Sequence, residues 1–236
     1  MLKKTLGCLT LTFLLGFGAV FAAEAAHAKA APAAEKGVIT PKAAQQLLKD
    51  GNQRYLEVAL RLQMAGDEKA KLRKDLAKNG QHPIATIIAC GDSRVPPEYI
   101  FDQPIGGLFI IRGAGNTAGV EAVGSVQYAV DHLNVPLVVV MGHSKCGAIG
   151  AVVEGGHAEG TLVELLKPIT ASFKTVEAEI AKGGDAMRLT TVANVKRSIE
   201  VLKTYEPELQ KRLAAGKLLL VGAVYDIETG VVEWLD

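Results

Sequence analysis

Three side chains that suit a soft metal ion lie in two short segments of the chain. The first segment, CGDSR at residues 90–94, contributes Cys90, and the second, HSKC at residues 143–146, contributes His143 and Cys146. Each segment follows an apolar run typical of a buried strand, and open α/β sheets bind ligands at the carboxyl ends of their strands. Two thiolates and one imidazole fill three corners of a zinc tetrahedron and leave the fourth open. The pattern therefore predicts one catalytic Zn²⁺ per chain.

Asp92 and Arg94, which follow Cys90 closely, are the candidate catalytic pair. Arg94 can bind the carboxylate of Asp92 with two hydrogen bonds and keep it ionised as an acceptor beside the metal. Released from Arg94, Asp92 could instead become the fourth metal ligand and close the site. An Asp–Arg pair that only stabilises a turn is the alternative, because ion pairs also perturb carboxylates without any catalysis.

A metal held by these ligands would turn its bound water into a nucleophile. Zinc lowers the pKa of its water to about 7 in a three-histidine site. Two thiolates cancel more of the metal charge than neutral histidines do, which makes the bound water less acidic. Burial and nearby hydrogen-bond donors must therefore help to form the zinc-bound hydroxide here. The 26 basic and 25 acidic residues give a net charge of +1, which offers no electrostatic case for nucleic acid. A small, nearly neutral substrate fits better.

Strands and helices alternate along the chain and predict the scaffold for these residues. Apolar runs predict strands at residues 84–89, 108–112, 137–141, 218–225 and 231–234. Helical spacing and caps predict helices from residue 41, at 67–78, at 120–133, after residue 146, at 162–180, at 187–205 and from residue 206. This alternation favours an α/β fold with a mostly parallel sheet flanked by helices. The helices before the first strand predict an N-terminal helical arm.

The first residues have the pattern of an export signal. Lys3 and Lys4 precede an apolar stretch at residues 6–20, and residues 22–26 contain small-residue cleavage sites. We predict a signal peptide at 1–25, a flexible lead-in at 26–38 and a single catalytic domain at 39–236. Because the apolar stretch is short for a membrane span, we expect an exported, periplasmic protein without a membrane association after signal removal. A retained membrane anchor is the alternative.

Signal removal would also remove Cys8 and leave only Cys90 and Cys146. In an oxidising compartment such a pair can form a structural disulfide. A chain of this length does not need a disulfide to fold, and Cys146 lies three residues from His143, a spacing found in metal sites. Metal binding is therefore favoured over a disulfide.

The two metal motifs, in this order and at this separation, closely resemble those of the β-class carbonic anhydrases. The resemblance covers most of the mature chain and includes Gln81, the segment DQP at 102–104, Phe109, the segment RGAGN at 112–116, Glu121 and Tyr128. It implies reversible hydration of carbon dioxide to bicarbonate and a proton, on a five-stranded and largely parallel sheet with bound Zn²⁺. It also implies a homodimer or a tetramer with active sites near the subunit interface.

The resemblance implies the same zinc ligands and the same Asp–Arg pair as the residue types do, and it adds five substrate-binding candidates. Gln81 resembles the amide that hydrogen-bonds substrate. Phe109 and Tyr128 resemble walls of the cleft, which the partner subunit's site could share. Ala114 stands where a larger apolar residue is common, so a roomier cleft is expected, and Gly147 belongs to the same substrate-binding set.

Two other functions remain open at this point. A relative with the same fold could direct the zinc hydroxide to carbon disulfide or carbonyl sulfide. A non-catalytic zinc-binding module would keep Asp92 permanently on the metal. Turnover on each gas, and the absence of turnover at any pH, are the observations that separate these functions.

Overall fold

A computed structural model describes residues 39–57, 66–205 and 207–235. The described residues belong to one compact unit. The predicted signal peptide and lead-in lie outside the described residues, so the predicted division of the chain stays a prediction. Within the described ranges, no helix combines the length and the apolar character needed to cross a membrane.

The helices and strands follow the order expected from the sequence. The helices are α1 (Pro41–Leu56), α2 (Gly66–Asn79), α3 (Pro97–Ile100), α4 (Val120–Asp131), α5 (Gly147–Val153), α6 (Thr161–Ile180), α7 (Ala186–Tyr205) and α8 (Pro207–Ala214). The strands are β1 (Ala85–Cys90), β2 (Leu108–Gly113), β3 (Leu137–His143), β4 (Leu219–Tyr225) and β5 (Val232–Leu235). A short 3₁₀ turn, Ala114–Asn116, follows β2.

The strands form one five-stranded sheet in the order β2-β1-β3-β4-β5. Every neighbouring pair is parallel except β4 and β5, which form an antiparallel hairpin. This confirms the predicted α/β fold. All residues of β1 and β3 are buried, because helices cover both faces of a parallel sheet. Ala89 of β1 pairs with Met141 of β3, so Cys90 and His143 end neighbouring strands at the same edge.

Alternating side chains of the strands pack into two apolar layers. Ile87 faces the layer that contains α1 and α3, whereas Ile88 faces the layer that contains α4, α7 and α8. Each fully buried aliphatic side chain contributes about 1.5–3 kcal/mol of transfer free energy. The strand ends that bear the predicted ligands are therefore fixed between two packed layers.

Helix α1 is attached to the sheet of its own chain. Thr40 caps it by accepting a hydrogen bond from the Ala43 amide at 3.2 Å, and Pro41 occupies a position in its first turn. Ala44 and Leu48 are fully buried in the layer against β1 and β3. In contrast, no side chain among residues 67–79 of α2 is buried. The two helices thus form the N-terminal arm, with its first helix docked on the core.

Candidate metal centre and active site

The structure brings the three predicted ligands together. Cys90 is the last residue of β1, His143 is the last residue of β3, and Cys146 directly precedes α5. The two Sγ atoms and an imidazole nitrogen of His143 lie within 4.8 Å of one another. All three residues are buried, with no more than 5% of each exposed. Two strand ends and a helix start therefore create a compact Cys-His-Cys cluster.

The environment of His143 fits a metal ligand. Its Nδ1 lies 2.9 Å from the carbonyl oxygen of Ser144, which can only accept, so Nδ1 carries the proton. The lone pair of Nε2 is then free, and Nε2 is buried without a hydrogen-bond partner among the described residues. A buried nitrogen without a partner is costly. A metal ion bound at Nε2 would remove that cost, and the Ser144 carbonyl would orient the ring for it.

The two thiols also fit a divalent cation. A hydrogen bond from Cys146, opposed by burial and assisted by His143 and by the Gly115 amide, lowers the pKa of Cys90 to about 4. That amide lies 3.3 Å from the Cys90 Sγ. The hydrogen bond to Cys90 and burial raise the pKa of Cys146 well above its usual range. The pair alone thus retains one proton, and a soft cation such as Zn²⁺ would allow both sulfurs to bind as thiolates.

Asp92 is bound to Arg94 in the arrangement predicted for an open site. Nε and Nη2 of Arg94 donate to the two carboxylate oxygens of Asp92 at 3.0 and 2.7 Å, and the Arg94 amide donates at 2.9 Å. The hydrogen bonds from the Arg94 side chain hold the pKa of Asp92 well below its usual range. Asp92 does not belong to the cluster of potential metal ligands among the described residues. It is therefore an ionised acceptor beside that cluster.

Ala114 and Gly147 lie at the same end of the sheet as the metal ligands. Ala114 is exposed and begins the 3₁₀ turn after β2, and Gly113 before it pairs with Cys90. Gly147 is also exposed, and a Cβ atom added to it would meet no atom within 4 Å. Both positions border open space near the cluster.

The other three substrate-binding candidates lie elsewhere in the chain. Phe109 pairs with Thr86 near the start of β1, about 13 Å along the strand from the end that bears Cys90. Tyr128 of α4 contacts Phe109, with ring centroids 6.0 Å apart. Gln81 precedes β1 and is exposed. The structure therefore groups Phe109 and Tyr128 toward the opposite end of the sheet from the metal ligands of the same chain.

The sequence and the fold of this chain are similar to those of known proteins. The family model described as carbonic anhydrase matches residues 85–232. Carbonic anhydrase 2 of Mycobacterium tuberculosis is 34% identical over 194 residues, which cover 80% of this chain and 90% of that protein. The chain belongs to the β-carbonic anhydrase family. It is accordingly an enzyme of the carbonic anhydrase type.

Solved β-carbonic anhydrases share the fold. CafA of the fungal pathogen Aspergillus fumigatus superposes with a TM-score of 0.64 at 30% identity, over 72% of this chain and 83% of that one. A tetrameric β-carbonic anhydrase of the ascomycete Sordaria macrospora superposes with a TM-score of 0.62 at 26% identity, over 72% of this chain and 93% of that one. The superpositions thus cover 83% and 93% of these two relatives.

Arg112 supports the site of this β-carbonic anhydrase in a way that sequence reasoning missed. Its Nε donates to the carbonyl of Cys90 at 3.0 Å, and its Nη2 donates to the carbonyl of Asp92 at 2.5 Å. Arg112 thus fixes the backbone at Cys90, a metal ligand, and at Asp92, the candidate catalytic carboxylate. A charged residue near the end of an otherwise apolar strand, next to the ligand-bearing strand, was the available signal.

Proposed function

We propose that the protein catalyses the reversible hydration of carbon dioxide to bicarbonate and a proton, with Zn²⁺ bound by Cys90, His143 and Cys146. The observation that carries this proposal is the buried trio of ligand atoms within 4.8 Å, in which the His143 Nε2 has no partner among the described residues. When bound, zinc supplies the Lewis acidity that makes water a nucleophile near neutral pH.

The side chains of Asp92 and Arg94 would orient that water. Asp92 is ionised and carries no proton to donate, so it acts as a hydrogen-bond acceptor beside the ligand cluster. Arg94 fixes both oxygens of the carboxylate and keeps it away from the metal position. The small residues Ala114 and Gly147 leave room for a linear triatomic gas or for planar bicarbonate. The proton released by hydration leaves to solvent.

Stopped-flow hydration of carbon dioxide, with zinc analysis of the same sample, tests this proposal. We expect turnover that requires zinc and disappears after treatment with a strong chelator. Carbonyl sulfide and carbon disulfide serve as competing substrates in parallel assays. Zinc-loaded protein that turns over carbonyl sulfide but not carbon dioxide would assign the site to the other gases. No turnover of any gas from neutral to alkaline pH would leave only a zinc-binding module.

We also propose that the working unit is a homodimer, either alone or paired into a tetramer. Gln81, Phe109 and Tyr128 resemble cleft residues, but Phe109 lies about 13 Å along the sheet from its own chain's ligands. In a two-fold dimer the same residues can approach the ligand cluster of the partner subunit. The tetrameric relative from Sordaria macrospora agrees with such an assembly. Sedimentation analysis of the zinc-loaded protein should give a dimer or tetramer; a monomer at assay concentration contradicts the proposal.

Export to the periplasm is proposed from the sequence pattern of residues 1–25 alone. Expression of the full chain in a Gram-negative cell, followed by fractionation and N-terminal sequencing, tests it. We expect the protein in the periplasmic fraction with a new N-terminus close to residue 26. Protein that remains in the cytoplasm with its N-terminus intact, or in the membrane fraction, contradicts export as a processed protein.

A further inference from the structure

The turn between β4 and β5 is attached to the loop that joins two of the metal ligands. Ser144 and Lys145 form this ligand loop between His143 and Cys146. The Ile227 amide of the turn donates to the Ser144 Oγ at 2.9 Å. The Lys145 Nζ donates to the Glu228 Oε2 at 2.8 Å. The two segments are more than 80 residues apart in the chain, so these contacts exist only in the folded protein.

The backbone carbonyl groups of both residues of the ligand loop accept hydrogen bonds from active-site side chains. The Ser144 carbonyl accepts a hydrogen bond from the protonated Nδ1 of His143 at 2.9 Å. The Lys145 carbonyl accepts a hydrogen bond from the Arg94 Nη2 at 3.2 Å. The position of the ligand loop therefore affects a metal ligand and the arginine that holds Asp92.

The ligand loop has a backbone conformation that needs outside support. Lys145 has a φ of +55°, in the left-handed region that is unfavourable for residues with a Cβ atom. Such a conformation persists only when the surrounding structure imposes it. The Ser144 amide bonded to the Tyr225 carbonyl at 2.9 Å, and the Ser144 hydroxyl bonded to the turn, impose it here.

The β4–β5 turn is itself held by hydrogen bonds, both within the turn and from helix α1. The Asp226 Oδ1 accepts hydrogen bonds from the amides of Glu228 and Thr229 at 3.1 and 2.7 Å, and from the Thr229 hydroxyl at 2.9 Å. From the opposite side, Asn52 of α1 donates to the Gly230 carbonyl at 3.0 Å. The N-terminal helix thus braces the same turn that holds the ligand loop.

We propose that Ser144 is a positioning residue of the metal centre. Its hydroxyl, held by the Ile227 amide, fixes the ligand loop so that its carbonyl keeps His143 in the tautomer and orientation that present Nε2 to zinc. The inference rests on the metal centre of the proposed function and adds a residue that neither residue types nor spacing identify. The Lys145–Glu228 ion pair assists to a smaller extent, because its two side chains are 63% and 73% exposed.

The test compares Ser144→Ala with wild type by zinc competition against a chromophoric chelator and by the visible spectrum of the Co²⁺-substituted protein. Outer-shell partners of metal-bound histidines change metal affinity by 10–100-fold, so we expect the zinc dissociation constant to rise about tenfold. The Co²⁺ bands should shift, because ring orientation alters the ligand field. Ser144→Thr retains the hydroxyl and should restore both values. Ser125→Ala, which removes a hydroxyl that donates to the Glu121 carbonyl at 2.6 Å within the same helix, is the matched control.

Unfolding of the metal-free variants is measured in parallel to separate stability from positioning. A Ser144→Ala protein that is less stable but retains the wild-type dissociation constant and spectrum overturns the proposal, as does a Thr variant that fails to rescue. If metal-free Ser144→Ala does not fold, the Co²⁺ spectra of the metal-loaded Ser144→Ala and Ser144→Thr proteins are compared. Shifted bands in the Ala variant alone support the proposal, and wild-type bands in that variant overturn it. Wild-type protein that binds no zinc would instead contradict the proposed function.

Discussion

The two ends of the sheet differ in how complete they are within one chain. At the carboxyl ends of β1 and β3, the ligand cluster, its acid–arginine pair and the supporting carbonyls are joined by short hydrogen bonds. Toward the other end, Phe109, Tyr128 and His132 form a row of tilted ring contacts with centroids 6.0 and 5.2 Å apart, and Tyr128 remains 47% exposed. The metal-ligand cluster and the Asp92–Arg94 pair are thus formed within one chain, whereas the aromatic end presents an open surface that a second copy could cover.

The largest effect should follow from damage to the end that bears the metal-ligand cluster. Cys146→Ser removes a thiolate ligand, so zinc binding and activity should be lost together. Because zinc lowers the pKa of water by several units, we expect activity to fall about a thousandfold or more. Metal analysis and stopped-flow hydration on the same preparation check this. Full zinc content in the variant would contradict the ligand role of Cys146.

A change beside the ligands should separate metal binding from catalysis. Asp92→Asn keeps the size of the side chain but weakens the acceptor and the pair with Arg94. We expect normal zinc content and a rate reduced about a hundredfold, within the usual range for loss of a group that handles a proton. Asp92→Glu is the control, because it keeps the negative charge but places the carboxylate one methylene group farther from the backbone. A wild-type rate in Asp92→Asn would restrict Asp92 to a structural role.

The aromatic end can be tested by subunit complementation. Gln81→Ala alone should lower the rate about tenfold, the effect of one lost hydrogen bond. If Gln81 acts on the partner's ligand cluster, co-refolded Gln81→Ala and Cys146→Ser chains form mixed dimers with one intact site. About a quarter of all sites should then regain wild-type turnover in an equal mixture. Activity no higher than the mean of the two separate variants would place Gln81 in the site of its own chain, or in no site.

The smallest effect concerns the pH dependence of stability. Arg94 holds the pKa of Asp92 below its ordinary value of 3.8, so the pair stabilises the fold above that pH and the contribution fades as pH falls toward the lowered pKa. Metal-free wild type should therefore exceed metal-free Asp92→Asn in unfolding free energy at pH 7, and the difference should shrink at pH 3. Denaturant titrations measure both values. A difference that grows in acid would contradict an ionised, paired Asp92.

The ligand cluster could be predicted because its signals are local. Apolar runs identify β1 and β3, and parallel strands bring their carboxyl ends to one edge, so Cys90 and His143 had to meet if the strands were neighbours. The helices α1, α4, α6 and α7 were likewise expected from caps and periodicity. The fold class followed from the alternation of these elements.

The supporting contacts could not be predicted, because no local pattern encodes them. Ser144 and Ile227 are 83 residues apart and meet only through the register of β3 against β4. Asn52 resembles an ordinary polar helix residue, yet it bonds the β4–β5 turn. The position of Phe109 relative to its own metal ligands depends on the register of β1 against β2. Each of these facts requires the three-dimensional pairing of distant segments.

The central claim is that the Cys-His-Cys cluster becomes a carbon dioxide-hydrating centre when it binds zinc. The most direct measurement adds zinc in steps to metal-free wild-type protein and records carbon dioxide hydration by stopped flow at each step. The account predicts that activity rises in proportion to bound zinc and reaches its maximum at one ion per chain. Full zinc binding without hydration of carbon dioxide, at any pH from neutral to alkaline, would contradict it.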